Sequence, residues 1–80
     1  MIEEKAINSS TIFGEVKLNI KKVMDERKMT IGKVSRLSGI KYDVVSNYYN
    51  NRIHIYNSDI LAKLCYVLDV DISELIIYVN

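Results

Sequence analysis

The sequence predicts an all-α fold, a compact five-helix domain over residues 15–80 with an arm of residues 1–14 before it and a short C-terminal tail. Three observations carry that prediction. Apolar residues recur at helical spacing along most of the chain, as in Leu61, Leu64, Cys65 and Leu68 at i, i+3, i+4 and i+7. Side-chain acceptors stand just before these runs, at Thr30, Asn57 and Asp71, where helix N-caps are favoured. Gly39 then separates two short helical segments, and glycine best tolerates the left-handed conformation just past a helix.

In chain order, residues 1–14 show no sustained period and carry the Ser9-Ser10-Thr11 cluster, so they read as an arm whose Ile12 and Phe13 pack back on the body. From about Glu15 to Arg27, Val16, Ile20, Val23 and Met24 follow helical spacing, giving the first helix. Thr30 caps a second helix, Ile31 to Ser38. Three turn residues, Gly39, Ile40 and Lys41, lead to a third helix from about Tyr42 to Tyr49. Asn50-Asn51-Arg52 ends it, asparagine being second to glycine in a left-handed C-terminal position. Asn57 caps the fourth helix. Asp71 and Glu74 stand in capping-box spacing, with Val70 and Leu75 placed as a hydrophobic staple, so a fifth helix starts at Ile72. Ile76-Ile77-Tyr78-Val79 has strand-like composition and either continues that helix or leaves it to pair with something.

The second and third helices form a helix-turn-helix, whose second member can lie in a DNA major groove. Val44, Val45 and Tyr48 make an apolar side of the third helix, while Asp43, Ser46, Asn47 and Asn50 make a polar one. Ser35 is small where the two helices cross. Tyr48 reads as core with its hydroxyl reaching a partner, and Tyr49 reads as packed on Met24. Each helix is about eight residues, below the length that is stable alone in water. The rest of the chain must hold them.

The formal charge of +1 says little by itself, but its distribution is uneven. From Lys28 to Ile55 there are five basic residues (Lys28, Lys33, Arg36, Lys41, Arg52) against Asp43 alone. From Tyr56 onward, Lys63 faces four acidic residues. Positive charge gathered on one motif suits double-stranded DNA as the partner. Lys41 and Arg52, at the two ends of the third helix, are placed for phosphates, and Lys33 joins them. Asn47 can pair with adenine N6 and N7, and Asp43 can accept from cytosine N4 or simply cap the helix.

The residues Ile20, Val23, Thr30, Val34, Ser35, Gly39, Val45 and Asn50, followed by LAKLCYVLDVDISEL from Leu61 to Leu75, resemble the Cro/C1-type helix-turn-helix family of phage repressors and bacterial regulators. The resemblance covers roughly Val16 to Leu75, and its last block is closer to short stand-alone bacterial regulators. It implies a lambda-repressor-like domain in which Tyr42, Asp43 and Asn47 face base edges, with Ser46 beside them. Thr30, Lys41, Asn50 and Arg52 would sit near phosphates. The sequence departs from the family at Ile31, where a glutamine is common. It departs again at Met24 and Tyr49, where an arginine–glutamate pair is common, and at Asn51, where glycine is usual.

The expected function is therefore a sequence-specific DNA-binding transcription regulator without catalytic residues, metal or cofactor. One histidine, one cysteine and no phosphate-cradling glycines offer no nucleophile–base pair. His54 has no second ligand nearby, and Cys65 lies on the core stripe. No apolar run approaches membrane-spanning length and no secretory leader opens the chain. With a lone cysteine, a cytoplasmic setting is expected. No small-molecule effector region is evident. Apolar Leu37, Tyr56, Tyr66 and Ile77, where a solvated monomer would carry polar residues, keep an alternative in view: a protein-interaction module of antitoxin-like or accessory type on the same fold.

A homodimer is expected through the end of the chain. Ile76 to Val79, as a strand, would pair with the same segment of a second copy or with the Thr11-Ile12-Phe13 arm. Otherwise the tail packs on its own first helix and the protein is a monomer.

Overall fold

The computed structural model describes residues 4–80, so the first three residues of the expected arm lie outside the described residues. Among the described residues there are four α-helices and a two-stranded antiparallel sheet: β1 (Glu15–Leu18), α1 (Ile20–Glu26), α2 (Ile31–Ser38), α3 (Tyr42–Tyr49), α4 (Ser58–Leu68) and β2 (Ile76–Val79). Between α4 and β2 lies a single 3-10 turn, Ile72–Glu74.

The core is drawn from the four helices, β1 and two of the turns, while β2 contributes no fully buried residue. Ile20, Val23 and Met24 of α1, Val34 of α2, Val45 and Tyr48 of α3, and Leu61, Leu64 and Leu68 of α4 are buried. Leu18, Ile40 and Leu75 complete it from β1 and the turns. The helices are short, and tertiary burial holds them together.

Several expectations need correction. The fold is mostly helical rather than all-α, and the first helix begins at Ile20, not Glu15. Val16 falls at helical spacing from Ile20, but it lies in β1 and is half exposed. The expected fifth helix is one 3-10 turn. Its capping box is present, with Asp71 accepting from Ile72 N–H and Glu74 reaching back to Asp71 N–H. After Leu75 the chain turns to strand.

That strand pairs neither with the Thr11-Ile12-Phe13 arm nor along α1. It pairs with Glu15–Leu18 in the register Glu15↔Val79, Val16↔Tyr78, Lys17↔Ile77, Leu18↔Ile76. The arm does not pack back as expected: Ile12 is 97% exposed and Phe13 66%. It holds instead a local turn, in which Asn8 Oδ1 accepts from Ser10 N–H and Thr11 Oγ1 accepts from Asn8 N–H. Gly14 follows, where any Cβ would collide with the Val79 carbonyl, and its N–H donates to the Tyr78 hydroxyl at 2.9 Å.

Helix ends share one device. Lys28, Gly39, Asn51 and Asp69 all have positive φ and stop α1, α2, α3 and α4 in turn. At α3 the pattern is a Schellman motif: Asn51 N–H donates to Tyr48 O, and Arg52 N–H to Asn47 O. Only Gly39 was legible as glycine, and Asn51 follows the asparagine preference. No helix among the described residues is long and apolar enough to cross a membrane.

Candidate nucleic-acid interface

The α2–turn–α3 unit is fixed by hydrogen bonds from serines. Ser35 Oγ donates to the Ile40 carbonyl, and Ile40 N–H donates to Ser38 Oγ at 3.1 Å. Both main-chain groups of the buried turn residue are thereby satisfied from α2. Ser35 thus does more than allow close helix approach. Thr30 caps α2, its Oγ1 accepting from Lys33 N–H at 3.1 Å, and Gly39 closes it at φ 75.

Helix α3 divides cleanly. Val45 and Tyr48 are buried, and Val44 and Tyr49 are half-buried against the same core. At about 100° per residue, Tyr42, Ser46, Asn50, Asp43 and Asn47 then span an arc of about 140° on the opposite side. Tyr42, Asp43 and Asn50 are exposed, while Ser46 and Asn47 are half-buried. The structure therefore brings the four base-contact candidates, Tyr42, Asp43, Ser46 and Asn47, onto one open face.

These side chains are not equally available. Asp43 Oδ1 accepts from Val44 N–H at 3.0 Å, so its carboxylate already serves the open start of α3. Asn50 Nδ2 is folded back on Ser46 O at 2.9 Å and lies 3.4 Å from Ser46 Oγ. The Asn47 amide takes part in none of the side-chain hydrogen bonds among the described residues, which leaves both its donor and its acceptor for an outside partner.

The cations frame this face. Lys41 is the N-cap residue of α3, Arg52 follows the left-handed Asn51 at its other end, and Lys33 stands in the first turn of α2. All three are exposed. The ion pairs among the described residues, Glu15–Lys17 and Asp59–Lys63, lie outside this segment. Where the α1–α2 turn meets α2 and α3, the lining of a depression includes Asp25, Lys28, Thr30, Gly32, Tyr42 and Tyr49, which puts Thr30 and Tyr42 on one concave surface.

A model of the Cro/C1-type helix-turn-helix DNA-binding domain matches residues 19–80. The chain belongs to that family. Among solved structures, this Cro/C1-type domain is similar to a candidate DNA-binding protein from Bacteroides fragilis, at 25% identity and a TM-score of 0.70. The likeness covers 79% of this chain and all of that one. A search of curated proteins gave no match.

The departures of this Cro/C1-type domain now have physical accounts. In place of an arginine–glutamate pair, Met24 is fully buried and the Tyr49 hydroxyl donates to Asp25 Oδ1 at 2.8 Å. A hydroxyl–carboxylate bond thus ties α1 to α3 without a buried charge pair. Lys21 Nζ lies 5.9 Å from the Tyr49 ring centroid, within cation–π range. The hydrogen bond to Asp25, with burial and the charge of the same carboxylate, pushes the Tyr49 phenol above its ordinary pKa. Ile31 is half-buried against the core and offers no polar group. Asn51 takes the left-handed position usual for glycine at φ 57, and its Oδ1 accepts from Leu18 N–H at 3.0 Å. That bond and the Tyr49–Asp25 bond were missed from sequence, because each joins residues far apart in the chain.

Proposed function

We propose that the protein is a sequence-specific DNA-binding transcription regulator that reads the major groove with α3 and works as a homodimer on paired half-sites. The observation that carries the reading is the open face of α3, polar along its length and bracketed by the exposed cations Lys41 and Arg52. Asn47, whose amide is uncommitted, pairs with adenine N6 and N7. Tyr42 meets a thymine methyl or the adjoining sugar, Ser46 contributes a short hydroxyl, and Asp43 is the weakest base contact because its carboxylate already accepts from Val44 N–H in the first turn of its own helix.

Lys33, Lys41 and Arg52 bind phosphates as charges. Thr30 and Asn50 do so as neutral hydrogen-bonding groups. Since Ile31 brings no donor, the phosphate at the start of α2 falls to the first-turn N–H groups, the Thr30 hydroxyl and Lys33. One reading helix spans few base pairs, and a two-fold dimer doubles the site by placing its helices about 34 Å apart.

The test is affinity for random duplex DNA across a salt series. Three cations per copy predict a slope of log affinity on log salt of about −3 per copy. A second reading, an interaction module on the same fold, is favoured by exposed Leu37 and Tyr66 beside a shallow groove between α2 and α4. Absence of duplex binding at low salt would favour that module over the regulator.

A further inference from the structure

The two edges of the small sheet are not alike. On β1, Leu18 N–H is turned away from β2 and donates to Asn51 Oδ1, while Asn19 N–H donates to Leu75 O at 2.7 Å. In an antiparallel ladder the inward and outward residues alternate, so Glu15 and Lys17 face β2 with Asn19, and Val16 and Leu18 face out. By the same register Ile77 and Val79 bond to β1, and the main-chain groups of Ile76 and Tyr78 point to the far edge. The β1 edge is covered at Leu18 by Asn51 and flanked by the charged pair Glu15–Lys17, 3.0 Å apart. These are devices that keep an edge strand from pairing.

The β2 edge has none of them. Ile76-Ile77-Tyr78-Val79 contains no charge, proline or glycine. No hydrogen bond among the described residues outside the ladder reaches the main chain of Ile76 or Tyr78. Ile77, Tyr78 and Val79 remain 38%, 61% and 38% exposed. An edge of this kind is a template for another strand.

We infer that this edge is the interface with a second copy of the chain, β2 pairing antiparallel with β2 about a two-fold axis at Ile77. This rests on the dimeric reading above and adds to it the surface, the strand and the register. The register follows from which groups point outward. Ile76 of one copy exchanges both backbone bonds with Tyr78 of the other, which leaves Ile77 opposite its own counterpart in the non-hydrogen-bonded position. There Cα atoms approach to about 4.5 Å. An antiparallel strand is self-complementary, as a two-fold contact requires, and no like charges meet, because the sheet's charges sit on β1. The result is a continuous four-stranded sheet in the order β1-β2-β2-β1. The exposed Leu37–Tyr66 surface between α2 and α4 stays outside it.

Sedimentation of the full chain, with no DNA present, is the first measurement, followed by two variants at the axis. Ile77→Glu sets two carboxylates against each other across the axis while facing Lys17 favourably within each copy. It should convert a dimer to a monomer with little change in circular dichroism. Ile77→Cys, made with Cys65→Ser, should give a disulfide-linked dimer on mild oxidation, since the Cα spacing suits one. A parent chain that is monomeric at high micromolar concentration overturns the inference. So does an Ile77→Glu variant that stays dimeric, a failure of the cysteine variant to cross-link, or loss of the dimer through Tyr66→Lys. Binding to a duplex with one half-site separates this inference from the DNA-reading proposal. Ile77→Glu should leave single-site affinity within about twofold while lowering affinity for a paired site at least tenfold. Loss of single-site binding in the parent instead removes the reading on which the dimer rests.

Discussion

The Asn51 side-chain carbonyl accepts the Leu18 N–H at 3.0 Å, joining the residue that ends α3 to the strand that opens the fold. Asn51 is left-handed at φ 57, so glycine and alanine test different parts of its role. Asn51→Gly keeps the backbone relaxed but leaves the part-buried Leu18 N–H without this acceptor, a loss of about 1–2 kcal/mol. Asn51→Ala adds the left-handed penalty of roughly 1–2 kcal/mol. Denaturant unfolding should therefore rank parent, glycine, alanine in falling stability. An alanine variant as stable as the glycine one would remove the backbone part of this account.

Tyr48 is 2% exposed, and its hydroxyl accepts from Asn57 N–H at 3.0 Å, linking the core of α3 to the cap of α4. Tyr48→Ala should cost about 3–5 kcal/mol, a large share of the stability of so small a domain. Tyr48→Phe keeps the ring and loses only the bond, about 1 kcal/mol. Thermal melts of both variants check the pair, and equal losses would show that the hydroxyl, not the ring, is what matters.

Gly32 lies in α2, where a Cβ would meet only the Tyr42 ring, at 3.9 Å. That is ordinary contact, and the φ there is not positive. Gly32→Ala should stabilise the fold by about 0.5–1 kcal/mol by removing glycine's chain entropy. A lowered melting temperature would contradict the packing described around the α2–α3 depression.

Alkaline pH should weaken the fold. Burial, and then the Asp71 carboxylate, pushes the Cys65 thiol up, and the bond to Asp25 does the same for the Tyr49 phenol. Each group holds its proton to higher pH in the folded state than in the unfolded one. The stability this gives is complete below the unfolded values, about 8.5 for the thiol and about 10 for the phenol. It is lost as pH rises through the folded values. Melting temperature should be flat near neutrality and fall above about pH 9, and Tyr49→Phe should lessen the fall at its upper end. A rise in stability from pH 8 to 10 would contradict both assignments.

The helix-turn-helix was legible because its signals are local. Thr30, Gly39 and the two faces of α3 each lie within one or two helical turns of what they specify, and all stand as read. The capping box at Asp71 and Glu74 was legible for the same reason, although only a 3-10 turn follows it. Strand β1 was not. Val16 is spaced from Ile20, Val23 and Met24 as a helix would space it, and the residues that make it a strand lie near the far end of the chain. Asn19 was the signal available, a favoured helix-start residue directly before Ile20, although its side chain reaches Glu74 O rather than its own helix. Exposure was misjudged at Tyr56, which is half-buried against the core, but not at Leu37, Tyr66 or Ile77. At the site, the helical period indicated which α3 residues face outward. It did not indicate that Asn50 and Asp43 are already engaged and Asn47 is not.

Arg52→Ala and Lys41→Ala should each weaken binding to every duplex and lower the salt slope by about one, since phosphate contacts position without reading bases. A changed sequence preference at undiminished overall affinity would contradict the phosphate role.

The most direct measurement of the central claim is the set of duplexes selected from a random pool by the parent and by Asn47→Ala. If α3 reads the groove with its open face, the variant loses discrimination at one base position in each half-site. The loss there is about 1–3 kcal/mol, with the other positions intact. An unchanged preference at every position would take Asn47, and the α3 face built around it, out of DNA recognition.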